Sequence, residues 1–228
     1  HLENELGPLL TAKGIDISEW SSLYSVVEDL LFNSGGLLNF SNEDIRSAVG
    51  VRYMKNKSNK KQVHEDLAVF FEKNTEGITM RKVEEIPWQL EKCSDFFKLK
   101  DVLTNLRLFV KLFTQEHKYD LFRYWRAIEA NSSIDVVDAY RQSLNRGDSF
   151  PNDVIVGKLF YKVGSFLEEI AKYEGCEEIY LRARHYFEVS SQPLDVARTD
   201  YSIAKALLAR AQFQKAEEML TEALDRYK

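Results

Sequence analysis

The chain has 228 residues, of which 44% are hydrophobic and 29% charged, so it is long and apolar enough to bury a substantial core. Its formal net charge of −5 at pH 7 argues against broad, sequence-independent nucleic-acid binding, which needs clustered lysines and arginines. No run of about 18 apolar residues is present, so no membrane span is expected.

The content of special residues indicates long helices and a reducing compartment. There are 10 glycines and 4 prolines, which are few for a fold with many tight turns. The two cysteines, Cys93 and Cys176, fall within helical patterns and are interpreted as buried free thiols, which favours a cytoplasmic location. The chain has neither an initiator methionine nor a signal-peptide layout, and it is interpreted as a piece of a longer polypeptide.

The N-terminal part predicts a helix followed by a short strand. Apolar residues recur at helical spacing over Glu19–Leu31, and Ser18 is the expected N-cap. The Asn-Ser-Gly-Gly sequence of residues 33–36 ends this helix. The next segment, Leu37–Phe40, is too short for a helix and fits one strand of a small hairpin or wing.

A second helix is predicted after the strand. The Ser-Asn-Glu-Asp sequence of residues 41–44 has the form of a capping box, and the helix that it opens runs through Tyr53. Helix, strand and helix together form the skeleton of a winged-helix domain, which we predict over residues 1–61. The lysine-rich run Lys55–Lys61 is interpreted as a solvated linker, with a basic wing that contacts phosphates or an acidic partner as the alternative.

The remaining chain is predicted to be helical, with a repeat near its end. A helix with Val63, Leu67, Phe70 and Phe71 on its apolar side comes first, and about four helical hairpins follow over residues 79–228. Residues 62–150 are assigned to connector helices and degenerate hairpins, and 151–228 to two clear repeats. Eight positions of these two repeats match at a constant 40-residue offset: Val163, Gly164, Leu167, Ala171, Tyr173, Cys176, Tyr180 and Ala183, then Ile203, Ala204, Leu207, Ala211, Phe213, Ala216, Leu220 and Ala223.

Small residues in these repeats are predicted to let helices approach closely. A glycine inside a helix costs about 1 kcal/mol relative to alanine, so Gly164 indicates a packing requirement. The predicted repeat-packing residues are Gly164, Cys176, Ala183, Ala204, Ala216 and Ala223.

The pattern of small and bulky positions resembles the tetratricopeptide repeat (TPR). The resemblance is good over residues 157–228 and looser over 79–150. It implies a mainly α fold in which hairpins stack as an α–α superhelix and bind a protein or peptide on the concave face. Two features depart from the pattern: Cys176 replaces the usual alanine, and the 40-residue period exceeds the usual length of about 34 residues, so longer helices or loops must absorb the excess.

The N-terminal part carries a second resemblance, over about residues 18–125. Its segments are similar to the region that joins the ATPase core to the repeats in NACHT–TPR proteins of the STAND class (nephrocystin-3-like), and more distantly to apoptosome-type ATPases. The resemblance implies that the wing packs on an upstream ATPase module, in a cytoplasmic or ciliary protein. The sequence departs from many relatives at Ser41-Asn42, where they carry histidine. The segments that carry the resemblance are Gly35–Phe40, Ile45–Val49, Arg52-Tyr53, His64–Phe71, Arg81–Leu90 and Phe97–Leu99.

No catalytic, cofactor or metal site is predicted. The chain contains no Gly-x-x-x-x-Gly-Lys-Ser/Thr loop to bind phosphates. His64, His117 and His185 lack metal-ligand spacing. Adjacent carboxylates on a helix diverge by about 100°, so the paired glutamates are interpreted as solvated faces rather than acid–base pairs. These pairs are Glu84-Glu85, Glu168-Glu169, Glu177-Glu178 and Glu217-Glu218.

Arginines and tryptophans supply the remaining candidates. Arginines on the inner helices of a solenoid bind peptide carboxylates in a bidentate manner, although pairing with nearby glutamates on the surface is the alternative. The candidate partner-binding residues are Arg182, Arg184, Arg198 and Arg210. Trp20, Trp88 and Trp125 lie among apolar neighbours, which favours core packing over ligand stacking.

The sequence therefore predicts a non-catalytic interaction scaffold and regulatory connector from a larger NACHT–TPR signalling or ciliary protein. A nucleic-acid-binding regulator that uses the winged helix and the basic run 55–61 is the alternative.

Overall fold

The computed structural model describes residues 5–34, 37–54, 56–73, 77–146 and 152–227. The described chain is mainly α, with thirteen α-helices and one two-stranded antiparallel sheet, which confirms the predicted fold class. It divides into two compact units between Ser94 and Asp95. The first unit contains α1 (Gly7–Ala12), α2 (Ile17–Val27), β1 (Leu31–Ser34), β2 (Leu37–Phe40), α3 (Glu43–Tyr53), α4 (Lys57–Lys73) and α5 (Met80–Cys93).

The predicted strand at Leu37–Phe40 is β2, and its partner is β1, in the register Leu31↔Phe40. The prediction that α2 continues to Leu31 was wrong, because a 3₁₀ turn follows Val27 and the chain then becomes extended. The predicted N-cap was also wrong. Asp16 caps α2, and its carboxylate accepts a hydrogen bond of 2.8 Å from the backbone N–H of Ser18.

Two further helix starts differ from the prediction. The N-cap of α3 is Asn42 rather than Ser41, since the Asn42 side chain accepts from the backbone N–H of Ile45 at 2.9 Å. Residues 57–61 form the start of α4 instead of a linker. Lys55 lies outside the described residues. Lysine has a good helix propensity, and the run continues without interruption into the apolar face of α4.

The core of the first unit lies between α4 and α5. Phe70 and Phe71 of α4 and Val83 and Leu90 of α5 are buried there. By contrast, α1, α2 and α3 contain no buried residue among those described.

The second unit is entirely helical over its described residues. It contains α6 (Phe96–Leu103), α7 (Leu106–Leu112), α8 (Lys118–Asn131), α9 (Val136–Asn145), α10 (Asp153–Glu169), α11 (Tyr173–Val189), α12 (Pro193–Ala209) and α13 (Phe213–Tyr227). The two predicted C-terminal hairpins are α10–α11 and α12–α13, each a pair of helices in extensive contact. One of the predicted degenerate hairpins corresponds to α8 and α9, where Asp135 caps α9 by accepting a hydrogen bond of 2.9 Å from the backbone N–H of Asp138.

The last four helices are separated by short turns that contain no glycine. Ala171, Ser191 and Ala211 adopt left-handed backbone conformations, with φ of 61°, 53° and 57°. After each one, the next backbone N–H bonds to a carbonyl five residues earlier at 2.9 Å. The turns are evenly spaced along the chain, and α10, α11 and α12 have 17 residues each, so the 40-residue period arises from long helices rather than long loops.

The predicted first hairpin has the same turn but a different second helix. Ser94, between α5 and α6, is left-handed with φ of 60°, as are Ala171, Ser191 and Ala211 in the later turns. However, α6 ends at Leu103, and Asn105 caps a new helix through the backbone N–H groups of Arg107 and Leu108. Where the later hairpins have one long second helix, this one is therefore divided into α6 and α7, because the Asn105 side chain accepts from first-turn N–H groups.

Candidate interaction surface

The repeat-packing residues all lie in the interior of the second unit. Gly164, Cys176, Ala183, Ala204, Ala216 and Ala223 are buried. A Cβ atom on Gly164 would lie 2.6 Å from Cδ1 of Tyr180, so α10 and α11 are closer here than a side chain allows. In the second repeat the equivalent pair is Ala204 and Leu220. Alanine has one methyl group more than Gly164, and leucine is smaller than Tyr180. Close helix contact therefore depends on matched sizes at these positions.

The first helices of the two repeats, α10 and α12, share an accessible face. We call it the α10–α12 face, and it consists of Lys158, Tyr161, Ser165 and Glu168 of α10 with Leu194, Arg198, Tyr201, Lys205 and Leu208 of α12. On α12 these residues follow the three- and four-residue spacing of one helix side, and all five are exposed. The face therefore alternates apolar side chains with cations on rigid helices.

Contacts between α10 and α12 fix the side chains of this face. The Arg198 guanidinium lies 4.5 Å from the centroid of the Tyr161 ring, and the Tyr161 hydroxyl is 3.1 Å from that of Ser202. Lys205 forms an ion pair with Glu168, and this hydrogen bond raises the pKa of Lys205. Since each contact joins two helices, the α10–α12 face is preorganised rather than a set of free side chains.

Lys162 lies beside this face on α10 and differs from the other cations. Its ammonium donates to the backbone carbonyl of Val110 at 3.3 Å, and burial lowers its pKa. Over the residues that the structure describes, its ammonium has no carboxylate within ion-pair distance. A half-buried cation that is paired with a neutral oxygen retains the capacity to bind an anion.

The paired glutamates are not simply solvated, in contrast to the prediction. Glu168 accepts from the Tyr180 hydroxyl at 2.8 Å, and Glu169 accepts from Lys118 at 2.8 Å. Glu178 pairs with Arg141 of α9 at 2.6 Å. Members of these pairs thus connect different helices, because residues about 100° apart on one helix meet different neighbours. Only Glu217 and Glu218 lie on an exposed stretch of helix as predicted.

The four candidate arginines lie at separate places and all have intramolecular partners. Arg182 contacts Asn145 and lies over the Phe160 ring, at 4.6 Å from its centroid. Arg210, at the end of α12, pairs with Glu177. Arg198 pairs with Asp195 at 2.7 Å, and 47% of its side chain is exposed. Only Arg198 belongs to the α10–α12 face, and partner binding by all four stays a prediction.

Arg184 belongs to a buried ionic cluster that sequence reasoning missed. Its Nε lies 2.7 Å from a carboxylate oxygen of Asp200, which is fully buried and also pairs with Arg226. Burial raises the pKa of Asp200, although the two arginines oppose this effect. The signal in the sequence was a carboxylate within an apolar stripe, four residues after Val196 and four before Ala204. The cluster joins α11, α12 and α13.

A polar groove of about 570 Å³ lies in the second unit, beside the turn between α10 and α11. Asp135, Asp138 and Arg141 of α9 line one side, and the turn before α11 lines another. Arg210 also reaches it, so it is the candidate arginine nearest to this groove. Four acidic and three basic side chains line the groove, and Arg141 already pairs with Asp138 and Glu178, which leaves only a small excess of negative charge.

The first unit contains an apolar cavity of about 340 Å³ and a buried histidine. His64 is buried, and its Nδ1 is 2.7 Å from Oε1 of Gln89. The tryptophan predictions had mixed outcomes. Trp125 is 1% exposed and forms part of the core, whereas Trp88 is 39% exposed and stands edge-on to His64, since it occupies the outer side of α5. Trp20 is half-buried and lines the cavity.

The thiols are buried, and the described ranges hold no metal-binding cluster. No group of three or more His, Cys, Asp or Glu side chains could hold a metal ion there. Among the described residues, Cys93 and Cys176 form no disulfide and are buried, as predicted. Burial raises the pKa of Cys176 to about 12, so its thiol is protonated at neutral pH. Likewise, no helix in the described part is long and apolar enough to cross a membrane.

Repeated hairpins, matched small residues and a shared first-helix face define an α-helical repeat protein with TPR-type hairpins. The chain is 31% identical over 235 residues to a TPR repeat-containing protein of Dictyostelium discoideum, an alignment that covers 97% of this chain. The chain spans 14% of the length of that relative. No family model and no solved structure match the chain.

Proposed function

We propose that the chain is a non-catalytic protein–protein interaction scaffold whose partner binds along the α10–α12 face. The observation that carries this proposal is the exposed stripe on α12, in which Leu194, Tyr201 and Leu208 alternate with Arg198 and Lys205. Tyrosine and arginine are enriched among binding hot spots, and Tyr201 and Arg198 are the two such residues of this stripe. The TPR repeats of the Dictyostelium relative support the same role.

The chemistry of the face favours a peptide that combines apolar side chains with carboxylates, in an extended or helical conformation. Arg198 offers a planar guanidinium already oriented by the Tyr161 ring, and Lys162 offers a half-buried ammonium. Fixed donors lose less side-chain entropy on binding, which increases affinity. Arg182, Arg184 and Arg210 remain further candidate contacts outside this face.

A peptide selected from a random library against the whole chain tests the assignment of the face. We expect Tyr201→Ala and Arg198→Ala each to weaken binding at least tenfold, the size of effect typical of an interface anchor. Tyr119→Ala is the matched control, since Tyr119 is an exposed aromatic residue on α8. Equal loss in the control, or no loss in either α12 variant, would reject the α10–α12 face as the binding surface.

Residues 1–61 are proposed to be a winged-helix-like domain, and the helices from residue 62 to connect the repeats to an upstream ATPase module of a NACHT-type signalling protein, either cytoplasmic or ciliary. Support comes from the order of α2, the β1–β2 hairpin and α3, and from the apolar residues that α2 exposes, such as Leu23 and Val26. Large apolar side chains on a surface commonly mark an interface. In this proposal the chain itself does not bind nucleotide, so saturable binding of a fluorescent ATP analogue to the chain would contradict it.

The alternative function is nucleic-acid binding through the start of α4. Lys57, Lys60 and Lys61 are exposed there, although Lys61 also lies 3.7 Å from Glu65. Binding through phosphate contacts weakens steeply with salt, because condensed counterions are released. A titration of the chain with duplex DNA at several salt concentrations separates the functions. Tight binding with a steep salt dependence, lost on K57E/K60E, would favour this alternative.

A further inference from the structure

One side of α13 is exposed although the equivalent side of α11 is covered. We call Phe213, Glu217, Leu220 and Leu224 the α13 stripe. Their spacing of four, three and four residues places them on one helix side. Phe213 is 67% exposed, Leu220 37% and Leu224 57%. One repeat earlier, the same side of α11 carries Tyr173, Glu177, Tyr180 and Arg184, none of which is fully exposed.

On α11 this side is covered by α12. The α11–α12 contacts therefore indicate which side chains a helix on the α13 stripe would need. Two ion pairs join them: Glu177 with Arg210, and Arg184 with Asp200. One repeat further along the chain, Glu217 replaces Glu177 and retains the carboxylate. Leu224 replaces Arg184 and removes the cation. The expected cover therefore keeps a basic residue at the position of Arg210 and has an apolar residue at that of Asp200.

We propose that the α13 stripe is the docking surface for one further amphipathic helix of the same polypeptide, the first helix of a next repeat. This helix lies on α13 as α12 lies on α11, with a cation opposite Glu217 and an apolar side chain opposite Leu224. The proposal is independent of the α10–α12 face and extends the repeat array beyond it. Complementary charge and apolar contact both follow from the α11–α12 template.

A second copy of the chain fits the α13 stripe less well. Two copies could pair their stripes antiparallel about a two-fold axis that passes between Glu217 and Leu220. Residues equally far from this axis in opposite directions would then face each other, so Phe213 would face Leu224 and Glu217 would face Leu220. Each copy would then bury a carboxylate without a cation. Burial of an unpaired charge is costly, so a helix with a basic residue at this position is the better occupant.

The test extends the full chain by one helix in register. A copy of residues 189–212 with Asp200→Leu is appended directly after Lys228, which places the copied Val189 one full repeat after the original. Hydrogen exchange then reports on the added amides. We expect at least tenfold protection over the same segment as a free peptide. Leu224→Glu and Glu217→Arg in the α13 stripe should each abolish the protection, whereas Leu181→Glu, at an exposed leucine of α11, should leave it unchanged.

Three outcomes would overturn the proposal. The added helix could remain unprotected, or it could be protected equally when the α13 stripe carries Leu224→Glu. The unextended chain could also form a dimer that Leu224→Glu dissociates in sedimentation experiments, which would assign the stripe to a second copy. A charge reversal provides a further check, because Glu217→Arg should regain protection when the added equivalent of Arg210 is changed to glutamate. All variants are measured in the folded 228-residue chain or in its extended form.

Discussion

Replacement of Gly164 by alanine tests whether close packing of α10 on α11 depends on the missing side chain. The added Cβ would lie 2.6 Å from two ring carbons of Tyr180, far inside the contact distance of about 3.5–4.0 Å. The Tyr180 ring is 1% exposed, and its hydroxyl donates to Glu168 at 2.8 Å. The ring therefore has little space to move, and a shift would stretch a charge-assisted hydrogen bond.

The magnitude follows from opposing terms. Alanine in place of glycine favours a helix by about 1 kcal/mol. Overpacking in a filled core costs about 1–3 kcal/mol, and a weakened hydrogen bond to a charged group costs about 1.5–3 kcal/mol, with partial overlap between the two. We expect Gly164→Ala to lower the free energy of unfolding by about 2 kcal/mol, measured by urea denaturation with circular dichroism.

Two variants make the experiment decisive. Gly50→Ala in α3 meets no atom within 4 Å, so it should stabilise its own unit through helix propensity alone. The double variant Gly164→Ala with Tyr180→Leu reproduces the Ala204–Leu220 pair of the second repeat and should recover part of the loss. If Gly164→Ala were as stable as the wild type or more so, the size-matching argument would fail.

Three further predictions concern buried polar groups. The raised pKa of Asp200 means that this carboxyl binds more protons in the folded than in the unfolded protein between about pH 3.9 and its folded pKa, so its own contribution to stability should fall as pH rises through this window. Carboxyls with lowered pKa values, such as Glu5 and Asp66, contribute the opposite slope. The free energy of unfolding of the wild type minus that of Asp200→Asn should therefore decrease as pH rises, as measured by urea denaturation at several pH values. Cys176, with a pKa of about 12, should react with a thiol reagent at pH 8 only after unfolding, as peptide mapping by mass spectrometry will show, and rapid native labelling would contradict its burial. Tyr140→Phe should destabilise the second unit by about 1–3 kcal/mol, because the Leu103 carbonyl loses its donor at 3.1 Å; an unchanged midpoint of unfolding would refute this.

Much of the fold followed from local patterns. The 40-residue repeat predicted the α10–α11 and α12–α13 hairpins, since apolar spacing identifies helices and their buried sides. Leu37–Phe40 was identified as a strand because it was short, apolar and flanked by turn residues. Helix starts were less well predicted at Ser18 and Ser41. Neighbouring residues offered competing caps there, and the side chain that aligns with free N–H groups depends on the local backbone.

The candidate site was harder to predict because it depends on which helices meet. The stripe on α12 is regular in sequence, but Arg198 gains its orientation only from Tyr161, which lies on α10. Similarly, the paired glutamates were interpreted as solvated, yet Glu178 meets Arg141 of another helix. Long side chains select partners by distance in the folded chain, and one sequence does not contain those distances.

The sequence by itself determined the helical class, the repeat and the positions where small residues are required. These features are periodic, and periodicity in a helix is a property of the chain alone. Only the tertiary structure decided that Asp200 is buried between Arg184 and Arg226, and that α13 exposes a side which α11 covers. Burial and charge pairing arise when separate helices come together, so they are properties of packing rather than of any single segment.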